Sequence, residues 1–298
     1  MAPHEIRIAC GASSATILPG RGATLTNLRV GNLAPLATTP WETSYPYIRP
    51  AVDEDSWVRR WQGGWQLCFP SAGQPSDRDM VPAFHGAASQ SPWKLVELNP
   101  DGATFLWTDG VLTAERTWKV HDDGASAVTS ALTVTPREIV VAEHLILGEG
   151  LVAASGTASA RLEVDAAVIA PLDLHGSPAG SSRAWPGSPN DMWQEFSSET
   201  PSRMGVLSEV SGSAVTVRGP HASATVSWAG TGLDHLLLWE EARVTAEDPW
   251  QNAVTALGIE PTTAPHGIGT GGEDGRVLLI PGEPWTWSTR LRIHGGAL

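Results

Sequence analysis

The stretch "ATFLWTDGVLTAERTWKVHDDGASAVTSALTVT", residues 103–135, alternates apolar and polar side chains in three consecutive runs. The tripeptides "TDG" (108–110) and "DDG" (122–124) separate these runs. Asp-Gly between alternating runs is a strong short-range signal for a hairpin, and a period of two places successive side chains on opposite faces of a strand. The stretch therefore predicts a meander of three antiparallel strands.

The same alternation recurs along the rest of the chain. In the run 128–135, Val128, Leu132 and Val134 share one face with Ser130, which predicts a half-buried strand. Two further alternating runs are "SAVTVRGPHASATVSW" at 213–228 and "PWTWSTRLRI" at 284–293. In these two runs we expect the following residues to point inward: Val215, Val217, Ala222, Ala224, Val226, Trp228, Trp285, Trp287, Leu291 and Ile293.

Helical periodicity does not persist for three turns anywhere in the sequence. The best candidate is "EDPWQNAVTALG" at 247–258, where Asp248 suits the cap, Pro249 the first helical position and Gly258 the end. We expect a single short helix there. The Gly- and Pro-rich stretch "HGSPAGSSRAWPGSPNDMW" at 175–193 predicts a long loop.

These patterns predict an all-β fold of unusual size. Strand signals continue through the chain with no clear boundary, so we expect one domain over residues 1–298. A chain of this length exceeds an immunoglobulin-like sandwich of about 100 residues. The expected architecture is a large antiparallel sandwich of two extended sheets.

Composition limits the classes of function. A formal charge of −13 lacks the basic footprint of a nucleic-acid partner, and no apolar run has the length of a membrane span. The start "MAPHEIRIAC" lacks the features of a signal peptide, and two cysteines do not form a disulfide framework. We expect a cytoplasmic protein that is a monomer or homodimer, with no nucleic-acid or membrane partner.

Five motifs in a fixed order carry a resemblance to a known family. They are "GGWQLCFPSAG" (63–73), "FHGAASQSPW" (84–93), "AEHLILGEG" (142–150), "LGIEPTTAPHG" (257–267) and "LIPGEPWTWSTRL" (279–291), preceded by "GRGATLTNLRVGN" (20–32). Together they span nearly the whole chain, and their order is more specific than any one of them. The chain resembles the aldose 1-epimerase, or galactose mutarotase-like, superfamily, which implies a β-supersandwich fold.

The resemblance also implies three catalytic residues. The family's His-Gly motif followed by Trp matches His85, with Gly86 and Trp93; its second histidine, on a strand, matches His144; and its Glu-Pro motif matches Glu260. The activity that the resemblance implies is interconversion of the α and β anomers of a free sugar.

The chemistry of that reaction fits these residue types independently. Opening a pyranose removes a proton from the C1 hydroxyl and delivers one to the ring oxygen, and closure reverses the two transfers. A carboxylate and an imidazole are a suitable acid and base, and neither a metal nor an organic cofactor is needed. We expect Glu260 to take the hydroxyl proton, His144 to protonate the ring oxygen and His85 to position it. Pro261 favours extended backbone at Glu260.

Residues that contact the sugar are less well marked. The sequence "WQGGWQLCFPSAG" stands where relatives carry Gly-Arg-x-x-Asn-Arg, so no arginine is placed by motif, and Arg59, Arg60 and Arg78 are only neighbouring candidates. An indole face packs well on a pyranose, although most of the 14 Trp are expected in the core. Candidates for binding the substrate are Trp239, which is favoured, with Trp65, Trp93, Trp193, Arg78 and His266, which lies six residues after Glu260.

Each catalytic candidate also has a purely structural interpretation. Glu260 before a proline could be a solvated strand end, and His85 beside a glycine could be a turn residue. His144 could be a half-buried histidine held by its neighbour Glu143. The remaining histidines show no metal-ligand spacing.

Two other functions remain open from the sequence. A carbohydrate-binding or sensor protein on the same fold is consistent with the missing arginine motif, and a polysaccharide lyase or hydrolase would use a similar sandwich. The last is disfavoured because no Asp/Glu pair has a glycosidase-like context. A free neutral sugar is the expected substrate.

Overall fold

The computed structural model describes residues 4–41, 49–75, 79–187, 192–199, 201–266 and 275–295. Its strands are β1 Ile6–Cys10, β2 Ser13–Leu18, β3 Thr24–Val30, β4 Trp65–Cys68, β5 Lys94–Asn99, β6 Gly102–Thr108, β7 Leu112–His121, β8 Gly124–Thr133, β9 Arg137–Ile139, β10 Ala142–Gly148, β11 Ala153–Ala154, β12 Thr157–Val164, β13 Val168–Leu172, β14 Arg183–Ala184, β15 Glu195–Ser197, β16 Arg203–Ser208, β17 Ala214–Arg218, β18 Ser223–Ala229, β19 His235–Ala242, β20 Thr255–Thr262, β21 Val277–Leu279 and β22 Trp285–His294. The α-helices are α1 Glu54–Val58, α2 Ala87–Gln90 and α3 Glu149–Val152, and single 3-10 turns occupy Met192–Gln194 and Ser211–Ser213.

Two large antiparallel sheets form the molecule. The first has the strand order β1-β2-β3-β4-β10-β20-β19-β16-β13-β14. The second has the order β11-β12-β17-β18-β22-β8-β7-β6-β5, with β15 paired to β12, and β21 and β9 form a small separate ribbon. This arrangement confirms the prediction of an all-β, two-sheet antiparallel sandwich.

The meander predicted over 103–135 is confirmed as β6, β7 and β8, which are neighbours in the second sheet. The first turn is stabilised by Asp109, whose Oδ1 accepts hydrogen bonds from the backbone N–H groups of Val111 and Leu112, both at 2.8 Å. An Asp side chain that binds the backbone two residues ahead is the local reason that this dipeptide reverses the chain.

The buried face of β8 differs from the expectation. Val128, Leu132 and Val134 are exposed, by 46%, 39% and 68%, whereas Thr129 is completely buried on the opposite face. Thr129 points inward because its hydroxyl accepts a hydrogen bond of 2.7 Å from the buried guanidinium of Arg116. Alternation gave the strand correctly but not the side that faces the core.

Arg116 belongs to a polar network between the two sheets. It forms a bidentate pair with Glu143, at 2.9 and 2.7 Å, and both side chains are completely buried. Glu143 also accepts hydrogen bonds from the indole N–H groups of Trp65 (2.7 Å) and Trp287 (2.8 Å). Four donors thus satisfy the carboxylate, which offsets the cost of removing the charge from water.

The short helix predicted over 247–258 is wrong. Turns occupy the segment up to Asn252, and Thr255–Thr262 is β20, an inner strand of the first sheet that is buried at every position. A strand buried on both faces shows no alternation, so the short apolar run did not distinguish a strand from a helix. The strand also includes Pro261 and Thr262.

Other sequence expectations agree with the structure. The inward residues predicted in 213–228 are buried, as are Trp287, Leu291 and Ile293, while Trp285 is partly exposed. The described part of 175–193 is mostly loop, containing β14 and the start of one 3-10 turn. None of the described helices has the length and apolar character needed to cross a bilayer.

Candidate functional site

The centre of the first sheet places one histidine opposite one glutamate. Strand β10 pairs with β20 in a register that sets Ala142 against Thr262 and Leu145 against Ile259. The same register places His144 directly opposite Glu260, and side chains at such positions project from the same face of a sheet. The pairing of these two strands, 116 residues apart in the chain, therefore determines the distance between the two groups.

Neighbouring side chains of β10 project from opposite faces of the sheet. Glu143 points into the space between the sheets, where it binds Arg116, and His144 points to the opposite side, where it lines a cavity. Alternation along the strand makes this separation unavoidable. The structural interpretation in which Glu143 holds His144 is therefore excluded, because the two side chains lie on different sides of the sheet.

His85 reaches the same place from a loop. Its backbone N–H donates to the carbonyl of Gly73 (2.8 Å), and the N–H of Gly73 donates to His85 Nδ1 (3.0 Å). An Nδ1 that accepts leaves the proton of the neutral ring on Nε2. The tight conformation uses positive φ at His85 (60°) and Gly86 (77°), and a Cβ on Gly86 would lie 2.2 Å from the carbonyl oxygen of Phe69. Gly86 therefore permits the turn that presents the imidazole.

The three side chains converge without binding one another. His144 Nε2 lies 4.0 Å from Glu260 Oε1, which is too long for a hydrogen bond, and the rings of His85 and His144 are 5.0 Å apart. Within the described part of the chain, no hydrogen-bond donor pairs with the Glu260 carboxylate. The polar atoms of Glu260 and of His144 Nε2 thus remain available to a ligand.

Burial shifts the proton affinity of all three groups. Desolvation raises the pKa of Glu260 to about 8 and lowers that of His144 to about 3. Desolvation, followed by the proximity of His144, lowers the pKa of His85 well below its usual value. Loss of water disfavours the charged form of each group, which accounts for the opposite directions. Groups perturbed this strongly in a cleft are candidates for catalysis.

These groups form the floor of a cavity of about 460 Å³. Aromatic rings make up much of its wall, namely Trp57, Trp61, Phe84, Trp239 and Trp250. Trp57 meets the rings of His85 and His144 edge-on at 4.5 and 5.5 Å. Trp239 contacts Trp61 at 5.8 Å and Trp250 at 5.7 Å between ring centroids. The volume and the aromatic lining suit a small ligand with both apolar and polar faces.

The helix α1 supplies part of this wall. Asp53 begins the helix, because its Oδ1 accepts a hydrogen bond of 2.8 Å from the N–H of Ser56. The helix and the turn after it present Trp57 and Trp61, four residues apart, to the cavity side of the first sheet. These two residues, together with Trp250, were missed in the sequence. For Trp57 and Trp61 the one available signal was their spacing in "EDSWVRRWQ".

The mouth of the cavity carries two ion pairs. Arg59 pairs with Asp248, and His175 Nδ1 lies 2.8 Å from Glu54 Oε2. Of the arginines considered in the sequence, Arg59 lines this cavity, Arg60 does not, and Arg78 lies outside the described residues.

The remaining predicted contacts divide between the cavity and the core. Trp239 lines the cavity, on the strand that precedes and pairs with β20, as expected. Trp65 and Trp93 are 0% and 1% exposed and belong to the intersheet core, so the structure corrects their assignment as sugar-stacking residues. Their indole N–H groups donate to Glu143 and to the carbonyl of Ala88.

Two further candidates also lie away from the cavity. Trp193 is buried in the core, with the Arg203 guanidinium 4.6 Å from its ring. His266 is not a lining residue, and it lies near His235, whose pKa is lowered by burial first and also by His266, while Asp234 raises it. β20 ends at Thr262, and bends follow it up to His266.

Among the side chains that the structure describes, no group of three or more His, Cys, Asp and Glu residues is arranged to hold a metal ion. His144 Nε2 and Glu260 Oε1 are 4.0 Å apart, and His85 Nδ1 already accepts a hydrogen bond from the backbone N–H of Gly73. That arrangement is suited to proton transfer and hydrogen bonding to a ligand.

Comparison with known proteins identifies the fold. No protein-family model and no curated protein sequence matches the chain. Among solved structures, a protein from Synechocystis sp. PCC 6803 is similar with a TM-score of 0.72 and 13% identity, over 99% of this chain and 97% of that chain. Many further solved structures match.

Two of these matches have informative names. A galactose mutarotase-like protein from Lactobacillus casei ATCC 334 has a TM-score of 0.69 and 16% identity, covering 97% of this chain and 100% of that one. A galactose mutarotase-like protein from Clostridium acetobutylicum has a TM-score of 0.68 and 18% identity, covering 98% and 95%. At these identities the likeness establishes the fold, which is the galactose mutarotase-like β-sandwich. The resemblance found in the sequence is confirmed at that level.

Proposed function

We propose that the protein interconverts the α and β anomers of a free sugar by opening and closing its ring. The observation that carries this proposal is the placement of His144 opposite Glu260, with 4.0 Å between Nε2 and Oε1, at the floor of an aromatic cavity. Two groups in this arrangement can exchange protons with two neighbouring oxygens of one ligand. The C1 hydroxyl and the ring oxygen of a pyranose are such a pair.

The reaction moves one proton in each direction. Glu260 takes the proton of the C1 hydroxyl while the ring oxygen receives one from His144, and the C1–O5 bond breaks to leave an aldehyde. Rotation about C1–C2 exposes the other face of the aldehyde. Glu260 then returns its proton to the C1 oxygen, His144 recovers the proton of the O5 hydroxyl, and the ring closes as the other anomer. The protein ends in its initial state.

Burial favours the neutral form of both groups, so before the reaction the proton of the pair resides on Glu260. With pKa values of about 8 and about 3, the Glu260 carboxyl is protonated and His144 is neutral near pH 7. Ring opening produces this same distribution, and the bound ring form requires the proton to move from Glu260 to His144. The total charge of Glu260 and His144 is the same in both proton distributions. The proton can therefore move between the two residues without exchange with solvent.

His85 acts as a hydrogen-bond donor in this proposal. Its Nδ1 accepts from Gly73, and its pKa is lowered well below the usual value by burial, so the neutral ring carries its proton on Nε2. A fixed donor near His144 holds the ring oxygen and stabilises the charge that develops on it. Trp239, which reaches the cavity beside Trp61, offers an indole surface for the C–H groups of the sugar.

A sugar-binding protein without turnover is the second candidate. The observation in its favour is that Arg59, the arginine at the cavity mouth, is engaged by Asp248. Aromatic walls and buried polar groups would serve binding as well as catalysis.

Anomer-exchange measurements separate the two candidates. A panel of free monosaccharides is screened by NMR exchange spectroscopy, with binding followed in parallel by calorimetry. Acceleration of exchange for a sugar that binds supports the enzyme. Binding without acceleration, with intact protein, contradicts the proposed activity and identifies a sugar-binding protein.

A further inference from the structure

Carboxylates outnumber cations around the cavity. Its lining contains six acidic side chains, Glu54, Asp55, Glu241, Glu247, Asp248 and Glu260, against a single arginine. Two of the acids differ in role from the others, because Glu260 lies on the floor and Glu241 accepts hydrogen bonds from the backbone N–H groups of Val244 (2.8 Å) and Thr245 (3.3 Å). The other four form the mouth.

The cations at the mouth already have partners. Arg59 is paired with Asp248, and His175 is paired with Glu54 at 2.8 Å. Asp55 and Glu247 are exposed carboxylates at the same mouth, and no cation within the described residues is paired with either. Among the described residues, the mouth therefore carries four acidic side chains against one arginine and one histidine.

Two side chains below this mouth have polar atoms free to bind a ligand. Glu260 is 5% exposed and His144 is 6% exposed, yet the carboxylate and Nε2 face each other across 4.0 Å without a hydrogen bond. Buried polar groups normally form hydrogen bonds, so we expect a ligand to supply the hydrogen-bond partners of these two side chains. The cavity between them and the mouth is continuous, at about 460 Å³.

Charge and aromatic surface act in the same direction here. A cleft lined by one sign of charge concentrates the opposite sign and repels its own. Indole faces attract cations through the negative potential of the ring, and four tryptophans line this cavity: Trp57, Trp61, Trp239 and Trp250. Both effects favour a positively charged ligand and oppose a phosphate or carboxylate.

We propose that the cavity selects sugars by charge, taking amino sugars in preference to neutral sugars of the same shape and excluding sugars that carry phosphate or carboxylate. Asp55 and Glu247 are the residues that exert this selection from the mouth. The proposal deepens the proposed function, on which it rests for the nature of the ligand, and it specifies a substrate class that the fold does not.

Matched ligands test the order of affinities. Binding of glucosamine, glucose, glucose 6-phosphate and glucuronate is measured by calorimetry at low salt, with the galactose series alongside. We expect the amino sugar to bind about two- to ten-fold more tightly than the neutral sugar, the scale of one or two partly screened charge contacts, and the two anionic sugars at least about ten-fold more weakly. The differences should shrink as salt is raised.

Variants of the mouth test the cause. Asp55→Asn and Glu247→Gln are each expected to reduce the preference for glucosamine over glucose by about two- to five-fold, and the double variant by more. Glu283→Gln, an exposed acid that does not line the cavity, is the matched control and should leave the preference unchanged. An unchanged preference in the double variant, or glucose 6-phosphate binding as tightly as glucose, overturns the proposal.

Turnover is measured on the same ligands, so that the two proposals fail separately. Binding in the expected order without accelerated anomer exchange supports charge selection and contradicts the enzyme. Equal acceleration of glucose and glucose 6-phosphate contradicts charge selection and supports the enzyme. If no sugar in either series binds, both proposals are overturned.

Discussion

His144 and Glu260 sit directly opposite each other on the neighbouring antiparallel strands β10 and β20, with 4.0 Å between Nε2 and Oε1. The geometry is set by strand register in the buried centre of a ten-stranded sheet, which is a rigid support. Both side chains are nearly buried, and burial moves the pKa of the acid up to about 8 and that of the imidazole down to about 3. Burial therefore favours a protonated Glu260 beside a neutral His144.

The rate of anomer exchange is expected to fall as pH rises above about 8. Below that value Glu260 retains its proton, and above it the carboxyl ionises while His144 stays neutral because its pKa is about 3. The pair then has no proton to give to the ring oxygen. Exchange NMR from pH 5 to 10, corrected for the uncatalysed reaction, provides the measurement. A protein-dependent rate that continues to climb through pH 9 would show that Glu260 works as an isolated base.

Replacing Glu260 with Gln should stop proton transfer while preserving the shape of the site. The amide keeps hydrogen-bonding capacity but cannot accept a proton, so the rate should fall by roughly 10² to 10⁴. Sugar affinity should change by no more than several-fold. Exchange kinetics and calorimetry on the same sample separate the two effects. Parent-like exchange in this variant means that Glu260 is only a buried strand carboxyl.

The two histidines should differ in what their loss affects. His144→Asn removes a proton-transfer group, so it should cost about 10²-fold or more in rate with a small loss of affinity. His85→Asn removes a fixed donor held by Gly73 and should weaken binding by up to about ten-fold as well as slow exchange. Exchange kinetics and calorimetry give the loss of rate and the loss of affinity for each variant. If the ratio of these two losses is the same in both variants, the histidines do not have the separate roles proposed here.

Trp239→Ala should weaken sugar binding. Its ring lies in the cavity wall beside Trp61 and Trp250, and loss of an aromatic contact is worth about 0.5–1.5 kcal/mol, or about two- to ten-fold in affinity. Trp285→Ala is the control, because Trp285 is also partly exposed but does not line the cavity. Equal losses of affinity in the two variants would remove Trp239 from the site.

Glu143→Gln should destabilise the fold without acting on the chemistry directly. The change leaves the completely buried guanidinium of Arg116 without its charge partner, and breaking a buried pair in this way costs about 3–5 kcal/mol. Denaturant unfolding gives the free energy, and exchange kinetics on the folded fraction should stay close to the parent. A variant as stable as the parent would show that the network contributes no net stability.

The sequence by itself determined the meander of β6, β7 and β8 and the candidate acid and base. Alternation with a period of two and the Asp-Gly dipeptides are local features, so β6, β7 and β8 and their turns could be predicted from residues 103–135 alone. The ordered motifs marked His85, His144 and Glu260, and the structure brings these three side chains to one cavity floor. Trp239 was also placed correctly in the cavity wall, because it lies on the strand that comes before the Glu-Pro strand and pairs with it.

Only the tertiary structure decided which faces and which tryptophans meet the ligand. Alternation defines two faces of β8 but does not say which one is buried, and the buried Arg116 makes the Thr129 face the inner one. The strand Thr255–Thr262 is buried on both sides, so it has no alternation to read. Trp65, Trp93 and Trp57 are alike in a sequence, since a large ring serves a core and a binding site equally well. Their positions follow from strand register and from contacts between residues far apart in the chain, which no local pattern encodes.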